Sequence, residues 1–127
     1  MTESAADISA IQETVGHYFQ GMYQGDTARL KKAFHPAAQV IGHFQGRFVQ
    51  NSLEQFLGYV ASAPVPAQTG EAYDMRIVSM DLAGETAAAV KVTDLYQGLR
   101  FTDYLSLLKV DGAWVIVNKT FYHAPKG

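Results

Sequence analysis

The chain has 127 residues, 48% of them hydrophobic and 17% charged, with a formal net charge of −2 and no cysteine. That length suits one domain over residues 1–127 built on one core, and the composition excludes a disordered chain. The small net charge supplies no broad basic field for nucleic acid or an anionic membrane, and without cysteine there is no disulfide, thiolate zinc site or thiol nucleophile.

The first residues, Met1-Thr2-Glu3-Ser4-Ala5-Ala6-Asp7, lack the basic start and apolar run of a signal peptide. No later stretch reaches the roughly 20 apolar residues of a membrane span, so the expectation is a soluble, cytoplasmic protein. Ile8, Ile11, Val15, Tyr18, Phe19 and Met22 recur at offsets of three and four, which predicts a helix over Ala5–Gln24. Ser4 with Asp7 reads as a capping box at its start, and Gly25 suits its left-handed end. Asp26 then caps a second helix over Thr27–Phe34, ended at His35-Pro36 because a residue before proline is pushed away from helical angles.

Two short extended pieces follow, Gln39–Phe44 and Arg47–Gln50, joined by the turn pair Gln45-Gly46. Ser52 and Gln55 form a second capping box, and Leu53, Phe56, Leu57 and Val60 give a third helix its buried stripe until Pro64 and Pro66. The stretch Ala63–Gly70 reads as a mobile connection or lid.

Strands are predicted at Ala72–Leu82, Thr86–Gln97, Arg100–Val110 and Ala113–His123. Asp111-Gly112 is the strongest of the hairpin signals between them, since both turn residues must tolerate positive φ. Counting outward from that turn without a bulge sets Ser106 opposite Val117 and Tyr104 opposite Lys119. One face then holds Thr102, Tyr104, Ser106, Leu108, Val115, Val117, Lys119 and Phe121. The other holds Phe101, Asp103, Leu105, Leu107, Trp114, Ile116, Asn118 and Tyr122. Both faces are largely apolar, so helices are expected on one and a second copy of the chain on the other. Helices first and a long antiparallel sheet afterwards predict an α+β fold, a curved sheet closed over by helices around a pocket.

That order of elements, over essentially the whole chain, resembles the nuclear transport factor two-like superfamily, a cone-shaped α+β fold. Ala33-Phe34-His35-Pro36-Ala37-Ala38, Phe101-Thr102-Asp103-Tyr104-Leu105 and Trp114-Val115-Ile116-Val117-Asn118-Lys119-Thr120-Phe121 resemble its lumazine-binding-like group of small bacterial proteins. The resemblance implies a pteridine-like or other partly aromatic ligand and a homodimer packed sheet against sheet. Relatives by fold include ketosteroid isomerase, polyketide cyclase and scytalone dehydratase, which use acid–base chemistry inside the cone. Val15-Gly16-His17-Tyr18, Gly25-Asp26 and Ala33-Phe34 are similar to the isomerase front half, and the match makes Tyr18 the candidate oxyanion donor. The same match sets the isomerase's general base at Gly42 and its protonated acid near Ser106, so both carboxylates are missing and the isomerase reaction is not expected. His43 could replace the base only if its strand slipped by one residue.

Among His17, His35, His43 and His123 no spacing favours a metal, and no cofactor is implied. His35 reads as a helix-end cap, and His17 points about 100° away from Tyr18 on the same helix. Lys119, paired with Tyr104 in this register, either binds an anionic group or serves catalysis in a partly buried pocket, or else carries its ammonium to the rim or pairs with a carboxylate. Phe34, Phe44, Phe56, Tyr59, Tyr73, Tyr96, Tyr104 and Phe121 are numerous enough to line a cavity for a flat molecule, and ordinary core packing would use them equally well.

Three functional readings follow. The first is a dimeric pocket protein whose small organic ligand contacts Phe34, His35, Phe56, Tyr59, Tyr104, Ser106, Lys119 and Phe121. The second is a cofactor-independent isomerase, dehydratase or cyclase in which Tyr18 donates a hydrogen bond and His43 or Asp103 moves a proton. The third is a protein-interaction module with a packed core. Nucleic acid and membrane are not expected partners.

Overall fold

The computed structural model describes residues 2–126, with side chains from residue 5 onward. Helix α1 spans Thr2–Gln24 and α2 spans Thr27–Ala33. Strands β1, Phe34–Phe44, and β2, Arg47–Ser52, form the first hairpin. Helix α3, Leu53–Ser62, and the short α4, Pro66–Thr69, precede β3 at Met75–Ala83. Strands β4, Ala87–Tyr96, β5, Leu99–Val110, and β6, Ala113–His123, complete one sheet in the order β2-β1-β6-β5-β4-β3.

The fold is the expected α+β arrangement, three main helices on a six-stranded sheet. All neighbours are antiparallel except β1 and β6, which run parallel. The helices cover one face because their apolar stripes match it: Ile11, Val15, Tyr18, Phe19 and Met22 of α1 are buried, as are Leu53, Phe56, Leu57 and Val60 of α3. Asp26 caps α2 by accepting from the Arg29 amide at 3.1 Å, and Ser52 with Gln55 forms the predicted capping box of α3.

Helix α1 already includes Ser4, whose side chain lies outside the described residues. The capping box read at Ser4 and Asp7 therefore lies outside the described residues. Asp7 Oδ1 accepts from Trp114 Nε1 at 3.0 Å and from Lys109 Nζ at 3.1 Å, tying the helix to the last hairpin. The Trp114 bond first and Lys109 second hold its carboxyl below the usual carboxylate range.

Three sequence expectations change. Helix α2 ends at Ala33, and β1 begins at Phe34, running through Pro36 where its pairing with β6 is irregular between Phe34 and Gln39. Proline lacks the N–H that a regular ladder would use, so it fits that break. The predicted lid over Ala63–Gly70 contains α4 and is tied down on both sides. Gln97 Nε2 donates to the Pro64 carbonyl at 2.6 Å, and the Glu71 carboxylate accepts from the amides of Gln97 and Gly98 at 3.0 and 2.6 Å.

The third change decides the site. Asp111-Gly112 forms the expected turn, with φ of 51° and 82°, and Val110 pairs with Ala113. The register shifts between Leu107, opposite Ile116, and Ser106, opposite Asn118, leaving Val117 as an extra residue in β6. Lys119 is therefore opposite Leu105, and Tyr104 opposite Thr120. Because a bulge reverses the facing of everything beyond it, Lys119 and Phe121 join the helix-covered face with Phe101, Asp103, Leu105 and Leu107. Trp114 and Leu105, expected at a dimer interface, lie in the core.

Candidate functional site

A cavity of about 150 Å³ opens between the helices and the concave sheet face, lined by Met22, Val40, Phe44, Val49, Asn51, Phe56, Tyr59, Tyr96, Phe101, Lys119 and Phe121. Its walls are mostly rings. Phe44 stacks on Phe101 with centroids 6.4 Å apart, and Phe101 meets Phe121 at 5.8 Å. Tyr59, half exposed, belongs to the rim.

The polar end of the cavity is Lys119, 4% exposed. Its Nζ lies 4.7 Å from the Phe56 ring centroid, 5.0 Å from Tyr18 and 5.6 Å from Phe121. Ring faces attract a cation, which partly replaces the water the ammonium has lost. Among the described residues it makes no salt bridge within 4.0 Å.

Behind Lys119 three more buried polar groups meet. The Tyr18 hydroxyl donates to Asp103 Oδ2 at 2.6 Å. Asp94 of β4 is the diagonal neighbour of Asp103, since Asp94 pairs with Phe101 and Val92 with Asp103, and its carboxyl is within hydrogen-bonding reach of Asp103. Burial first, then the charge of Asp103, pushes the Asp94 carboxyl well above the usual carboxylate range, with Lys119 opposing. A proton on Asp94 lets it donate to Asp103. Without one, Asp94 Oδ1 and Asp103 Oδ1 are both buried with no partner among the described residues. Burial, followed by the two aspartates, also raises the Tyr18 hydroxyl well above its ordinary value, so Tyr18 remains a neutral donor.

The predicted site residues divide into two sets. Phe56, Tyr59, Lys119 and Phe121 line the cavity; Tyr18, Asp103 and Phe34 are packed directly behind it. Asp103, expected on the far face, is in the interior because of the Val117 bulge.

His43, His35, Tyr104 and Ser106 do not face the cavity. Exposed His43 stacks edge-on with Phe48 and borders a separate, open groove of about 440 Å³ with Tyr122 and His123. Its neighbour Gly42 is the inward residue, so the register slip needed to turn His43 inward is absent. His35 Nδ1 accepts from the Ala37 amide at 3.0 Å. Tyr104 and Ser106 are exposed on the outer face, where Lys91 Nζ lies 5.7 Å from the Tyr104 ring centroid. His17 Nδ1 accepts from Arg29 Nε at 3.1 Å, away from the cavity.

Gly42 also shows why no carboxylate occupies the isomerase base position. A Cβ there would stand 2.7 Å from the Phe121 carbonyl oxygen and 2.8 Å from its ring, so β1 and β6 can approach only over a glycine. Asp94 is the residue sequence reasoning missed. Its signal is the period-two run Ala88, Val90, Val92, Asp94, Tyr96, an acid on an otherwise apolar strand face.

The family model described as "Putative lumazine-binding" matches residues 6–122. The chain belongs to that family. This lumazine-binding-like chain is 25% identical over 126 residues to "Aldolase FrzH" of Cladobotryum sp, covering 97% of this chain and 96% of that protein. An NTF-2 like protein of unknown function from Silicibacter pomeroyi DSS-3 has a structure similar to it, with a TM-score of 0.87, 29% identity, and coverage of 95% of this chain and 98% of that one. A second such protein, from Shewanella baltica OS155, superposes at 0.86 with 25% identity over 95% and 96% of the two chains. A ketosteroid isomerase-like protein from Erwinia carotovora atroseptica shares the fold, at 0.70 and 13% identity over 92% and 96%. None of the helices among the described residues is long and apolar enough to cross a membrane.

Proposed function

We propose that this chain, acting as one domain and as a cytoplasmic homodimer, binds a small, partly aromatic organic molecule in the cavity beside Lys119. The observation that carries the reading is the combination of ring walls with a single buried ammonium at one end, since apolar walls plus a few placed polar groups are the usual composition of a ligand site. Size narrows the ligand. Pockets for drug-sized molecules run from roughly 300 to 1,000 Å³, whereas about 150 Å³ accepts one benzene-sized ring. A two-ring pteridine would require Tyr59 or Phe44 at the mouth to swing aside.

The homodimer rests on the outer sheet face, where Tyr104, Leu108 and Tyr122 expose 52%, 42% and 60% of their surface. Large apolar residues left in water together are the usual mark of an interface.

A second reading is cofactor-independent carbonyl chemistry. Two observations favour it: the buried Tyr18–Asp103–Asp94 group, which can store and donate a proton next to the cavity, and the similarity to a protein named an aldolase. In this reading Asp103 and Asp94 replace His43 as proton carriers.

Ligand-observed NMR with benzyl alcohol tests the pocket. Saturation transfer to the ring should occur with the wild-type chain and vanish in Val49→Phe, whose added ring fills the cavity while its circular dichroism stays unchanged. Equal transfer in both proteins would refute binding at this cavity.

A further inference from the structure

Resting on the pocket reading, we propose that Lys119 is an amine nucleophile that forms an imine with an aldehyde or ketone held in the cavity, the Asp94–Asp103 pair taking and returning the proton.

Four features of the structure converge on this chemistry. Lys119 is buried, yet it lines the cavity, with its Nζ 4.7 Å from the Phe56 ring centroid and 5.6 Å from that of Phe121, and no carboxylate within 4.0 Å among the described residues occupies it. A lysine held by hydrophobic walls is the form in which that side chain serves as a carbonyl-directed nucleophile. Asp94 interacts electrostatically with Lys119 and is the diagonal neighbour of Asp103 across the β4–β5 pair. Among the described residues no other side chain or amide donates to Asp94 Oδ1 or Asp103 Oδ1, so the pair can take up a proton between them. Burial already favours the protonated form of Asp94, and Tyr18 holds the other oxygen of Asp103 in place. A lysine serving only to fill space would not need a two-carboxylate proton store beside it, and a lysine serving only as a counter-ion would be expected to touch its carboxylate.

The step balances without any further reagent. With no carboxylate within 4.0 Å of Nζ among the described residues, the ammonium passes one proton through a bridging water to the carboxylate pair, and the freed nitrogen lone pair attacks the carbonyl carbon. The C–N bond forms as the carbonyl π electrons move to oxygen, and that oxygen takes up the proton the nitrogen now gives up, leaving a neutral carbinolamine. The pair then returns a proton to that hydroxyl, the C–O bond breaks with loss of water, and nitrogen donates its electrons to complete the protonated imine. Overall, one ammonium and one carbonyl become one iminium and one water. Lys119, 4% exposed, is shielded from bulk water, which otherwise drives the reverse reaction.

The substrate class is therefore a compact aldehyde or ketone on or beside one ring, and benzaldehyde is a suitable probe. Benzaldehyde with sodium cyanoborohydride reduces any imine to a stable N-benzyl amine, located by peptide mass mapping. Lys31, Lys32 and Lys126 are exposed and report the background rate. At limiting aldehyde we expect Lys119 to carry about tenfold or more label than any of them, because binding raises the local carbonyl concentration. A Lys119→Arg chain should lose that excess while the background persists.

Benzyl alcohol separates the two claims, since it has the ring and no electrophile. If it binds and competes with the labelling of Lys119, both the pocket and the imine stand. If it binds but label falls only on the exposed lysines, imine formation is refuted and the pocket survives. If it does not bind and Lys119 stays unlabelled, both fail. Asp94→Asn gives an independent readout: Lys119 labelling should slow and its pH profile change, whereas an identical profile would remove the carboxylate pair from the reaction.

Discussion

The Tyr18 hydroxyl donates to Asp103 Oδ2 across 2.6 Å of buried space, joining the middle of α1 to the middle of β5 between residues 85 apart in sequence. The bond satisfies one oxygen of a carboxylate with no access to water and fixes the ring that lies against the Lys119 ammonium.

Tyr18→Phe should therefore destabilise the chain by about 1–3 kcal/mol, the usual cost of leaving a buried acceptor without its donor. The lost hydroxyl leaves ring packing against Phe19 and Phe34 intact, so the loss belongs to the hydrogen bond. Urea unfolding of the two proteins measures it. A difference below about 0.5 kcal/mol, within the range of ordinary surface changes, would mean that Asp103 Oδ2 does not depend on this donor.

Asp94 gives the opposite sign. Its carboxyl is raised above the ordinary 3.8 by burial and by Asp103, so the folded chain holds a proton that the unfolded chain has released. Stability linked to this group is full below the ordinary value and falls as pH rises through the raised one. Asp94→Asn cannot ionise, and its amide can donate to Asp103 in place of the proton. The variant should match wild type at pH ~4 and become more stable than wild type by pH ~8, with a flatter dependence between. Destabilisation at the higher pH would show that Asp94 is charged and satisfied there.

How much of this was legible in the sequence depended on which physical rule governed each residue. Helix stripes, the Asp26 and Ser52 caps and the Asp111-Gly112 turn are local effects, and each appears where the pattern put it. The sheet faces are not local. Trp114-Val115-Ile116-Val117 is apolar without alternation, so nothing in it marks Val117 as unpaired, and that one residue carried Lys119 inward and Tyr104 outward. Tyr18 was reachable by resemblance, and Asp94 by alternation along β4. The meeting of Tyr18, Asp94, Asp103 and Lys119 depends on two strand registers and a helix, and became visible only in three dimensions.

The corrected faces also relocate the proposed dimer. Leu108→Glu combined with Tyr104→Glu puts charge on the outer face, and sedimentation should report monomers with an unchanged fold. Leu105→Glu should instead unfold the chain, since Leu105 is 1% exposed and a lone charge has no partner in the core. Dimers that survive the double change would require a different interface.

A crystal structure of the chain with benzyl alcohol tests the central claim directly. The account predicts density for the ring among Phe56, Tyr59, Phe101 and Phe121, with its hydroxyl turned toward Lys119 Nζ. A cavity closed by those same side chains, with the alcohol absent or bound only outside, would contradict it.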